Sequence, residues 1–102
     1  MAMRYVHKMG DVLIDVVERY YPEAAEEYRQ YVKNVTRVAD MLFRRGRVDE
    51  AMTYIQALRQ MSLDVINSLD IDPNERELLK RDIDGYFENV VRELEKKARP
   101  VL

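Results

Sequence analysis

The chain has 102 residues, of which 17 are Lys or Arg and 19 are Asp or Glu, giving a formal net charge of −2. Apolar residues make up 47% and charged residues 35%, which fits one domain with a real core and speaks against intrinsic disorder and a uniformly basic nucleic-acid binder. Cysteine is absent and histidine occurs once, which excludes disulfides, thiolate metal sites, cysteine nucleophiles and any two-histidine arrangement.

No stretch approaches 18 uninterrupted apolar residues, so no membrane span is expected. The segment Met1 to Gly10 carries Arg4, His7 and Lys8 and lacks the apolar stretch and cleavage site of a secretory signal, so the expected compartment is the cytoplasm. Arg outnumbers Lys by 12 to 5, a bias compatible with a thermophilic source or with a GC-rich genome.

From Tyr5 the apolar positions are Val6, Met9, Val12, Leu13, Val16, Val17 and Tyr20, a three-four spacing that predicts a first helix over about residues 3–20. Gly10 falls on or near its polar side, costs helix propensity, and marks a point where the helix can break. Pro22 suits a first helical turn, and Glu23, Glu26 and Glu27 favour the N-terminal dipole, so a second helix is expected over about 22–45. It ends in Arg44, Arg45 and Gly46, cations followed by a residue that accepts a left-handed conformation. A third helix, about 49–69 with Asp49 as its cap, is apolar over more than half its circumference. Such an arc serves either two neighbours inside the fold or a partner outside it. Asp72-Pro73-Asn74-Glu75 has the form of a capping box, with Asp in place of Ser or Thr, and opens a fourth helix over about 73–98.

Four amphipathic helices joined by short connections predict a compact all-α antiparallel up-down-up-down four-helix bundle, one domain over residues 1–102. The alternative is an open arrangement in which the first two helices splay at Tyr20-Tyr21-Pro22 and a second chain completes the bundle.

Over residues 35–58, the order Val35, Val38-Ala39, Leu42, Gly46, Ala51, Ile55 and Leu58 resembles a single tetratricopeptide-like helix-turn-helix, which implies close packing of two helices across Ala39 and Ala51. The chain departs from that repeat in lacking its terminal proline near Leu63 and any second copy at a 34-residue period. More loosely, residues 24–69 are similar to a small archaeal helical protein family of unknown function. That resemblance implies an all-helical protein and brings no catalytic residue with it.

The unusual side chains are the seven Tyr and six Met. Tyr combines a large apolar body with a polar tip and so suits interfaces as well as core rims, while Met41, Met52 and Met61 suit an adaptable groove or core gaps. The candidate partner interface is Tyr20, Tyr21, Tyr28, Tyr31, Tyr54, Met61 and Leu63. A second candidate is basic: Lys33, Arg37 and Arg44 recur along one side of the second helix and Arg45 and Arg47 extend them into the turn, a ridge that can meet phosphates or simply be solvated. No nucleophile elbow, phosphate loop or metal-ligand spacing accompanies these residues. The expected function is therefore a non-enzymatic protein-protein interaction or assembly module without a cofactor, its partner preferably a second copy in a homodimer. The alternative expectation is an accessory nucleic-acid-binding protein using the basic ridge.

Overall fold

The computed structural model describes residues 2–98. Each stretch with a three-four apolar spacing is a helix: α1 (Ala2–Tyr20), α2 (Ala25–Arg44), α3 (Val48–Ser68) and α4 (Pro73–Ala98), with a short 3-10 turn over Pro22–Ala24 between α1 and α2. No strand occurs among the described residues. Short connections make successive helices antiparallel, so the expected all-α four-helix bundle is the architecture found.

The packing is not square. α1 touches all three other helices and meets α4 most extensively, α3 likewise touches all three, and α2 and α4 do not touch. α1 and α3 therefore form the short diagonal, flanked on one side by α2 and on the other by α4. This explains why the bundle is flat, with principal extents of 50 × 27 × 17 Å. The core follows the diagonal: Val6, Met9, Leu13, Val16 and Val17 from α1 meet Ile55, Leu58 and Ile66 from α3, all nearly solvent-free, whereas α4 buries Ile83 and Val90 as fully. The wide apolar arc of α3 is thus largely consumed by three neighbours within the chain.

Four local expectations change. Gly10 does not break α1. It is buried, and a Cβ placed there would lie 2.6 Å from Val32 Cγ1, so this glycine permits α1 and α2 to approach closely. The second predicted helix divides into the 3-10 turn and α2: Ala24 donates to Tyr21 O at 2.9 Å, an i→i+3 bond, before the α-helical pattern begins. Asp49 does not cap α3, which starts one residue earlier after Arg47 and has no side-chain cap. Asp72 does cap α4, accepting the Asn74 amide at 2.7 Å, yet Glu75 turns away from the box to accept the Tyr20 hydroxyl at 3.2 Å. The α2 C-terminus follows expectation: Gly46 has φ 74°, its amide donates to Phe43 O, and Arg47 N donates to Leu42 O, the paired bonds of a Schellman motif.

Candidate interaction surface

Between α2 and α3 the chain leaves a shallow recess of about 250 Å³ lined by Glu27, Tyr28, Tyr31 and Met61. Tyr28 and Tyr31 fall on the flank of α2 that borders α3, and Met61 falls on the flank of α3 that borders α2, so antiparallel packing brings the three together. All three are half-buried against the core rim and present their remaining surface to solvent. Burial raises the Tyr31 phenol above its ordinary pKa, which keeps it a neutral hydrogen-bonding group. Tyr54, two turns before Met61, carries the stripe along α3 toward the α2–α3 turn, and Met41 on the solvent side of α2 adds a second exposed apolar side chain near that turn, each 42% exposed.

Other residues of the candidate interface lie elsewhere. Tyr20 is bonded to Glu75, and the Tyr21 hydroxyl meets Ser68 Oγ at 3.3 Å and donates to Ser68 O at 3.5 Å, so both tyrosines tie the α1–α2 junction to the α3–α4 junction. Leu63 is half-buried and packs against the core, on the flank of α3 away from Met61.

Two polar contacts at the α3–α4 side were not legible from spacing. Arg59 of α3 donates from Nε and Nη2 to Asp84 Oδ1 of α4, at 3.1 and 2.8 Å, and its guanidinium lies 5.0 Å from the centre of the Phe87 ring. Arg76 reaches back from the first turn of α4 to donate to the carbonyl of Leu69, placing a cation at the C-terminus of α3. Charge identity alone cannot select such partners; the fold supplies them.

The basic ridge is only partly free. Arg44 pairs with Asp40 at 3.2 Å and Arg47 with Glu50 at 2.6 Å. Lys33, Arg37 and Arg45 are exposed, and no ion pair to them occurs among the described residues.

At the opposite end of the bundle from the tyrosine junction lies a larger cavity of about 570 Å³. Ala2, Met3, Phe43, Val48 and Leu94 form its apolar wall, with Asp40, Arg44, Asp49 and Lys97 at its rim. Among the described residues, no cluster of three or more His, Cys, Asp or Glu is arranged to hold a metal ion, and no helix is long and apolar enough to cross a membrane. Comparison with protein-family models, curated proteins and solved structures finds no match for this chain.

Proposed function

We propose that this chain is a non-enzymatic assembly module that associates with a second copy of itself through the α2–α3 surface. The observation that carries the reading is the tyrosine- and methionine-lined recess, Tyr28, Tyr31 and Met61, continued along α3 by exposed Tyr54, with exposed Met41 near the α2–α3 turn. Tyrosine buries much apolar area with few rotamers to freeze, and methionine adapts its shape, so the stripe suits a protein partner better than a polar ligand. A second copy needs one self-complementary patch and closes the assembly at two chains.

Sedimentation velocity across the micromolar range tests this directly, and a dimer is expected. Met41→Glu combined with Tyr54→Glu places two charges on exposed positions outside the core, and should shift the protein to monomer with unchanged helical circular dichroism. A wild-type chain that stays monomeric throughout that range overturns the reading.

Contact with nucleic-acid phosphates is the second reading, supported by Lys33, Arg37 and Arg45, exposed cations with no ion pair among the described residues. It requires retention on DNA at low salt that declines steeply as salt rises, because released counterions supply the binding free energy. Equal retention of Lys33→Glu/Arg37→Glu and of the wild type would remove it.

A further inference from the structure

Charge is divided across the α2–α3 surface. Residues 22–47 carry six Lys or Arg against four acids, and residues 48–70 carry one against four. Among the unpaired exposed charges the same excess remains, with one acid, Glu27, on the α2 side of the recess. Lys33 and Arg37 on α2 and Arg45 just beyond its end are exposed, and on α3 so are Asp49 and Asp64. None of these last five enters an ion pair among the described residues. Asp64 accepts only the neutral Gln60 amide, at 2.8 Å. The apolar recess runs between the two charged helices.

Resting on the self-association proposed above, we infer that two copies dock about a twofold axis parallel to α2 and α3, so that the basic α2 of each covers the acidic α3 of the other. An axis in the interface that runs along the groove sends α2 of one copy over α3 of its partner and lays groove against groove. Lys33 and Arg37 then border an acidic helix, and the strip containing Tyr31 and Met61 becomes the centre of the interface, with Glu27 at its solvated edge. An axis across the helices would instead set α2 on α2 and α3 on α3, with like charges opposed along both.

The dimensions suit this arrangement. Helices of 20 and 21 residues give a slab about 30 Å long and two helix diameters, about 20 Å, wide. That footprint, about 600 Å², lies at the lower end of the roughly 600–1,000 Å² per partner of a standard stable interface.

Reversing the charges separates the two geometries. Lys33→Glu/Arg37→Glu makes both facing helices acidic, and Asp49→Lys/Asp64→Lys makes both basic, so each variant alone should self-associate at least about tenfold more weakly than the wild type. An equimolar mixture of the two should recover a dimer containing one copy of each, read by native mass spectrometry. Wild-type dimerisation should also weaken as salt rises, a readout that needs no variant. Variants that dimerise as the wild type does, a mixture that fails to recover, or a salt-independent dimer overturn this docking while leaving self-association intact. A monomeric wild type overturns both.

Discussion

Gly10 shows how one missing methyl sets the spacing of two helices. A Cβ at this position would approach Val32 Cγ1 to 2.6 Å, and a β-branched side chain in a helix has almost no alternative χ1 to move into. Gly10→Ala would gain about 1 kcal/mol of helix propensity, but forced overpacking costs about 1–3 kcal/mol. The net expectation is destabilisation in urea melts. In a Val32→Ala background the clash is gone, so the same change should become neutral or stabilising; an equal cost in both backgrounds would refute the contact. Glu26 offers a pH test at the same scale. The Gln30 amide at 3.2 Å, and then Arg29 at 3.1 Å, hold its carboxyl below the ordinary carboxylate range. Because the folded carboxyl releases its proton at lower pH than the unfolded one, its contribution is present above the unfolded pKa and is lost as pH falls through the lower folded value. Glu26→Gln should therefore melt slightly below the wild type at neutral pH, and the two midpoints should converge in acid. A pH-independent gap would mean that ionisation plays no part.

At the scale of elements, the junctions carry more of the fold than their local signals announce. Glu75 is held by Tyr20 at 3.2 Å and lies 4.0 Å from Arg19, so the last turn of α1 is joined to the first turn of α4. Tyr20→Phe removes one partly buried hydrogen bond and should cost about 1 kcal/mol. Arg76→Ala leaves the Leu69 carbonyl without its cation and should cost more, about 1–3 kcal/mol. Thermal melts showing Arg76→Ala less harmful than Tyr20→Phe would reverse this ranking. Neither contact could be read beforehand, because a capping box is defined by neighbours in sequence whereas Glu75 found a partner 55 residues away. What was legible is local: the apolar period of each helix, the Gly46 stop, and Pro73 with Asp72 at the start of α4 all depend on residues a few positions apart. The same reason divides the candidate surface. Tyr28, Tyr31 and Met61 could be placed on helix flanks by phase alone, but phase does not say which flanks meet. That is why Tyr20 and Tyr21, equally suggestive in sequence, are instead engaged with Glu75 and Ser68 of the same chain at the end of the bundle.

For the whole molecule, the short diagonal decides where stability resides. α1 contributes buried residues from Ala2 to Val17 and contacts every other helix, while α4 adds only Ile83 and Val90 to the described core and docks chiefly on α1. Burial of apolar surface is the main favourable term in folding, so opening free energy should follow this asymmetry. Amides near Met9–Val16 in α1 and Ile55–Ser62 in α3 can exchange only when the diagonal separates, an event that exposes residues with 0–1% accessibility from both helices. Amides in the second half of α4 can exchange when that helix lifts from one side, since no contact with α2 holds it from the other. Native-state hydrogen exchange should therefore show greatest protection in the middle of α1 and α3, approaching the free energy of global unfolding, and a graded loss along α4 beyond Val90. Uniform protection across the four helices would mean that the bundle opens as one unit. Protection concentrated in α4 would contradict the packing hierarchy. Self-association adds a distinct signature, because an α2–α3 interface would slow exchange on those two helices as protein concentration rises and leave α4 unchanged.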